Sequence, residues 1–177
     1  MTIPNALSLF RLVATFFFIF FVTKEMFGFA FTIFLLQALS DLADGLIARR
    51  FGFKTLMGTY LDPIADKFML LSTYLILTYK SMVPKWLTFI VLFKDFLILL
   101  GFFTLYNFSV RIVPNPRPLG KICTASQMVA IAYLLWAGTE GYVDYFFYAT
   151  AICTVLSTFD YFFSGLFLYA KYRLNKG

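Results

Sequence analysis

The chain has 177 residues, 61% of them hydrophobic and only 14% charged, with 25 phenylalanines and a mean hydropathy of +0.82. A soluble core of this size cannot hide so much apolar surface, so the composition excludes an ordinary water-soluble globule and predicts a lipid-covered protein. The net charge of +6 is spread over short loops and helix ends with no dense patch, which predicts topology anchors and no nucleic-acid partner.

Six apolar helices are predicted in chain order, at about 6–23, 26–48, 58–80, 85–106, 120–138 and 142–170. Each is near the roughly 20 residues that a bilayer requires. The first, around "LVATFFFIFFV", has one upstream basic residue, Arg11, and no small-residue cleavage site after it, so it reads as a retained helix rather than a signal peptide. Arg11 itself reads as an interfacial residue whose long stem snorkels to water. The separators "KEM", "RRFGFKTLM", "SMVPKW", "VRIVPNPRPLGK" and "GTEGY" supply the charges, prolines and glycines that end helices. Spans in lipid must be helical, because an open strand leaves its backbone groups unsatisfied. The expected fold is therefore all-α: a polytopic membrane protein of six transmembrane helices, with residues 1–177 forming a single domain.

Six spans place both termini on one side. That side carries Arg49, Arg50, Lys54, Arg111, Arg117, Lys171, Arg173 and Lys176, against Lys24, Lys80 and Lys85 on the other. The excess predicts a cytoplasmic face for both termini and for the second loop, in an inner or plasma membrane. Trp86 and Trp136 fall near span ends, as an aromatic belt requires. Cys123 and Cys153 lie in apolar segments and read as small buried hydrophobes. The chain has no histidine, which excludes His-based catalysis and the usual zinc sites.

The stretch "SDLADGLIARRFGFKTLMGTYLDPIADKF" gathers four of the nine acidic residues: Asp41, Asp44, Asp62 and Asp66. On helices, Asp41, Asp44, Gly45 and Ala48 share one face, and Gly58, Asp62 and Asp66 share another. The loop between them is short, so the helices are antiparallel neighbours and the four carboxylates converge near the cytoplasmic interface. One Asp at a helix centre costs about 2.5–3.5 kcal/mol to insert, and mutual repulsion adds to this. Arg49 and Lys67 offer some compensation. Two divalent ions match better, and oxygen-only ligands suit Mg²⁺, Mn²⁺ or Ca²⁺. Paired metals are a common device of phosphoryl chemistry. Gly45, Ala48 and Gly58 would permit close helix packing, or leave room for a flat ligand with Arg49 beside its phosphate. Intramembrane carboxylates also mark cation paths, so a cation transporter is the rival from another class. Such transporters usually show repeated halves, and the second half of this chain has no counterpart of the Asp cluster.

The eight residues Asp41, Asp44, Gly45, Ala48, Arg49, Gly58, Asp62 and Asp66 resemble the signature of the CDP-alcohol phosphatidyltransferases at every fixed position. "TIPNALSLFR" is similar to the amphipathic entry of phosphatidylglycerophosphate and cardiolipin synthases, and "GKICTASQ" to their GKxxTxxQ segment. The resemblance implies a six-helix membrane enzyme, usually a homodimer among membrane lipids, that moves the phosphatidyl group of CDP-diacylglycerol to an alcohol acceptor and releases CMP. It implies two Mg²⁺ or Mn²⁺ ions on Asp41, Asp44, Asp62 and Asp66, with Asp66 also the catalytic base. It assigns Gly45, Ala48, Arg49 and Gly58 to the CDP pocket.

For the acceptor, glycerol 3-phosphate is the leading expectation and phosphatidylglycerol the alternative. Phosphatidylglycerophosphate synthases typically carry an Arg-Glu pair in the fourth span with another Arg two turns on. This chain has Lys94-Asp95 followed by apolar residues, which looks like the eukaryotic-type cardiolipin synthases. "LGKICTASQMVAIAYLLW" looks closer to the phosphatidylglycerophosphate synthases. Lys94, Arg111, Arg117 and Lys121 are the candidate acceptor-binding cations. Lys94 and Asp95, being adjacent on a helix, are not expected to face each other, and Asp160 reads as a structural hydrogen-bonding partner.

Overall fold

The computed structural model describes the backbone of residues 3–51, 56–107 and 118–174, and the side chains of residues 7–41, 65–101 and 118–166. Its described residues form six helices and no strand: α1 (Ile3–Thr23), α2 (Phe27–Phe51), α3 (Leu56–Tyr79), α4 (Lys85–Asn107), α5 (Pro118–Ala137) and α6 (Val143–Leu174). These lie where the breakers in the sequence place them, within a few residues at each end. Two described stretches, Pro118–Ala137 and Val143–Leu166, are long and apolar enough to cross a membrane; Leu7–Thr23 and Phe27–Asp41 are apolar but shorter. Six crossings are thus not established by length and apolarity.

The chain divides into two compact units. The first comprises Met1–Pro84 and Ile131–Gly141, the second Lys85–Ala130 and Tyr142–Gly177. In the first, α1 packs against both α2 and α3. Its buried stripe is Ser8, Arg11, Thr15, Phe18 and Val22, spaced three and four residues apart as a helix seam demands. Towards the chain end of α1 the stripe is apolar: Phe18 meets Phe34 of α2 with ring centroids 6.1 Å apart, and Val22 is fully buried. Towards its start the stripe is polar, and this polar half builds the candidate site.

Both α1 and α3 end in the same turn. Met26 N–H donates to Phe21 C=O and Met82 N–H to Leu77 C=O, each at 2.9 Å, with Glu25 (φ 61°) and Ser81 (φ 59°) in the left-handed conformation between. This is the Schellman closure, which satisfies otherwise orphaned carbonyls. Lys80 Nζ reaches Glu25 Oε1 at 3.0 Å and ties the two turns together, an exposed pair worth at most about 1 kcal/mol. Gly138 (φ 79°) closes α5, its N–H on Leu134 C=O at 2.9 Å.

In the second unit α4 packs on α6. Leu87, Val91 and Lys94 of α4, Cys123 and Gln127 of α5, and Phe147, Thr150, Thr154 and Ser157 of α6 are buried. The outward faces are strongly apolar in both units: Phe16, Phe20 and Phe29 in the first, Phe89, Phe96 and Phe163 in the second, are all exposed.

Candidate active site

The polar half of the α1 stripe meets the two acidic helices. Asp41 stands on α2 and Asp66 on α3, and the guanidinium of Arg11 on α1 lies between them. Its Nη1 donates to Asp41 Oδ1 at 2.7 Å and also to Asp66 Oδ1. The Arg11 side chain is 1% exposed, whereas those of Asp41 and Asp66 are 33% and 35% exposed. The cation is therefore sealed inside while both carboxylates keep a face towards the surface.

The backbone around Arg11 is held equally firmly. Its carbonyl accepts from Thr15 Oγ1 at 2.8 Å and from Gln37 Nε2 at 2.9 Å. Gln37 Nε2 also donates to Thr15 Oγ1 at 2.9 Å. Gln37 lies one helical turn before Asp41, so these bonds fix α1 against α2 next to the carboxylate. Gln37 Oε1 and Ser40 Oγ of α2 and Thr73 Oγ1 of α3 are buried with no hydrogen-bond partner among the described residues. Each such group costs about 1–3 kcal/mol in a dry interior, so this seam is not optimised as an apolar core.

Arg11 is a correction to the sequence reading, which put it at the interface with its head in water. The signal that could have found it is its periodicity: Ser8, Arg11 and Thr15 continue the stripe of Phe18 and Val22, so a charge there must face the helix partners. The other expected site residues divide by position. Asp44, Gly45, Ala48 and Arg49 fall on the helical backbone of α2, and Gly58 and Asp62 on that of α3, but their side chains lie outside the described residues, as do Arg111 and Arg117. Lys121 is exposed in the first turns of α5.

Lys94 belongs to the second unit and is 3% exposed. Its Nζ is 3.7 Å from Asp95 Oδ1, so the two neighbours do meet, contrary to expectation. Nζ also donates to Cys123 Sγ at 3.3 Å. Cys123 is buried as expected, yet it is more than a hydrophobe: Thr154 Oγ1 lies 3.4 Å from its sulfur, and Gln127 Nε2 lies 3.5 Å from it. A cross-helix polar cluster of this kind has no signature within one helix.

The donor set of the first unit fits a hard divalent cation. Two carboxylate oxygens from two helices converge on one position now held by a single nitrogen, and both are hard ligands. Among the described residues no group of three or more His, Cys, Asp or Glu is assembled. The remaining expected ligands, Asp44 and Asp62, lie outside them.

Comparison with known proteins gives a family. The family model for CDP-alcohol phosphatidyltransferase matches residues 1–159. Rat cardiolipin synthase (CMP-forming) is 30% identical over 93% of this chain and 61% of its own length. The Streptomyces coelicolor cardiolipin synthase (CMP-forming) is 32% identical over 81% of this chain and 69% of its own. The Escherichia coli K12 CDP-diacylglycerol–glycerol-3-phosphate 3-phosphatidyltransferase is 31% identical over 90% of this chain and 92% of its own. The chain thus spans about three fifths of the rat and human cardiolipin synthases, 61% and 62%.

Proposed function

The chain belongs to the CDP-alcohol phosphatidyltransferase family, and from that premise we propose that it transfers the phosphatidyl group of CDP-diacylglycerol to the hydroxyl of a glycerol-type acceptor and releases CMP, a step of phospholipid biosynthesis. The observation that carries this reading is the convergence of Asp41 and Asp66 on one cation position. Asp41, Asp44, Asp62 and Asp66 would hold two Mg²⁺ or Mn²⁺ ions, which when bound offset the charge that develops on the pyrophosphate. Gly45, Ala48, Arg49 and Gly58 form the CDP pocket. Asp66 takes the proton of the acceptor hydroxyl. The acceptor oxygen forms a bond to the phosphorus that carries diacylglycerol, the bond from that phosphorus to CMP breaks, and CMP leaves with the electron pair.

The acceptor in this reading is glycerol 3-phosphate. Support comes from the similarity to the E. coli glycerol-3-phosphate enzyme over 92% of that protein's length. Lys94, Arg111, Arg117 and Lys121 are the cations proposed to bind its phosphate. Phosphatidylglycerol is the second reading, favoured by the Lys94-Asp95 pair and by the similarity to CMP-forming cardiolipin synthases. The enzyme in either case spans the membrane six times as one domain, with both termini and the Asp cluster at the cytoplasmic face, and works as a homodimer. The exposed phenylalanines and the asymmetric basic residues support that placement.

The test is purified protein with labelled CDP-diacylglycerol and parallel additions of glycerol 3-phosphate and phosphatidylglycerol. Labelled phosphatidylglycerophosphate is the expected product. Labelled cardiolipin instead would establish the second reading, and neither product would overturn both.

A further inference from the structure

Arg11 lies between two of the carboxylates that the reading above assigns to the metal. Its Nη1 sits between Asp41 Oδ1 and Asp66 Oδ1, oxygens from two different helices. The guanidinium is buried and its own backbone is pinned by Thr15 and Gln37, so it is stationed there by the fold. A guanidinium and a divalent ion compete for that position, because like charges repel and both are drawn to the same two carboxylates. One positive charge leaves the two carboxylates with an excess of one negative charge, whereas a divalent ion neutralises them.

We propose that Arg11 is a built-in counter-ion: it occupies the cation position between Asp41 and Asp66 when no metal is bound, and is displaced from it when the metal binds. The inference rests on the metal-dependent reading above. Arg11 keeps α1, α2 and α3 assembled around otherwise repelling carboxylates before metal arrives, and it sets a threshold that the metal must overcome. The two roles are linked thermodynamically. Whatever stability Arg11 gives the metal-free protein through these carboxylates is lost on displacement, so it lowers metal affinity by the same factor. A residue that merely orients the aspartates would do the opposite and raise metal affinity.

The experiment uses Mn²⁺ as the probe, on the full chain in detergent micelles, with wild type, Arg11→Gln and Arg11→Lys. Binding is read from the electron paramagnetic resonance signal of free Mn²⁺, and stability from thermal unfolding in excess chelator and in saturating Mn²⁺. Arg11→Gln should bind Mn²⁺ about 10-fold or more tightly than wild type, the size expected for a lost charge-assisted hydrogen bond. It should unfold earlier than wild type in chelator and close most of that gap in Mn²⁺. Arg11→Lys, which keeps the charge with fewer fixed donors, should fall between, and it serves if Arg11→Gln does not fold. Unchanged or weaker Mn²⁺ binding in the variants, or an unfolding deficit of equal size with and without Mn²⁺, overturns the counter-ion role while leaving the metal site standing. Absence of Mn²⁺ binding to wild type overturns both.

Discussion

Gly120 opens the "GKICTASQ" segment as the third residue of α5, and its lack of a side chain should be required by α6. A Cβ built there would lie 2.7 Å from Tyr161 Oη, 3.2 Å from Cε2 and 3.4 Å from Cζ. The first distance is one that real Cβ atoms do not show, so Gly120→Ala must move the tyrosine ring or the helix. The clash is with the far end of a half-buried side chain that can swing, so the cost lies at the low end of overpacking, about 1 kcal/mol. Against it, alanine in a helix gains up to about 1 kcal/mol over glycine. The net expectation is a loss of about 0–1 kcal/mol, or up to roughly 4 °C at about 2–4 °C per kcal/mol for a chain of this size. The informative comparison is Gly120→Ala in a Tyr161→Leu background, where the clashing hydroxyl and distal ring are gone. There the same substitution should stabilise, by up to about 1 kcal/mol. Unfolding temperatures of the four proteins in one detergent should give a coupling of about 1 kcal/mol. An equal effect of Gly120→Ala in both backgrounds would refute the close-approach explanation, as would stabilisation in the wild-type background.

Three further outcomes are expected. Asp66→Asn keeps volume and one ligand oxygen but removes the base, so turnover should fall by about 10²–10⁴-fold while CDP-diacylglycerol binding, measured by equilibrium titration, weakens less. Arg117→Ala or Lys121→Ala should raise the apparent KM for glycerol 3-phosphate by roughly 10- to 150-fold, the equivalent of about 1.5–3 kcal/mol for a charged hydrogen bond, with the KM for CDP-diacylglycerol nearly unchanged; flat values for both variants, with normal insertion, would remove these two residues from the acceptor site. A cysteine placed near Lys176, with Cys123 and Cys153 replaced, should resist a membrane-impermeant thiol reagent in intact cells and react after lysis, and labelling in intact cells would invert the orientation.

The helices were legible because the chain is punctuated: "SMVPKW" and "GTEGY" interrupt apolar runs with residues that helices in lipid rarely tolerate, and Gly138 and Gly141 do take positive φ. The Asp positions were legible because four carboxylates in an apolar chain demand an explanation whatever the fold. Arg11 was missed because a lone arginine near the start of an apolar run has a cheap surface solution, and only its shared stripe with Phe18 and Val22 argues for burial. The contact of Lys94 with Cys123 was missed for a different reason. It joins α4 to α5 across a separation of 29 residues, and pattern within one helix carries no information about it. Six crossings remain a reading of composition and pattern, since two of the described stretches are long and apolar enough to cross a membrane.

The most direct measurement is release of CMP from CDP-diacylglycerol by the purified protein, with and without a glycerol-type acceptor, in Mg²⁺ and in excess chelator. The family chemistry acting through an oxygen-ligand metal site predicts CMP release that needs both the acceptor and the divalent ion. Full turnover in chelator would contradict the metal site, and absence of CMP with every acceptor would contradict the proposed reaction itself.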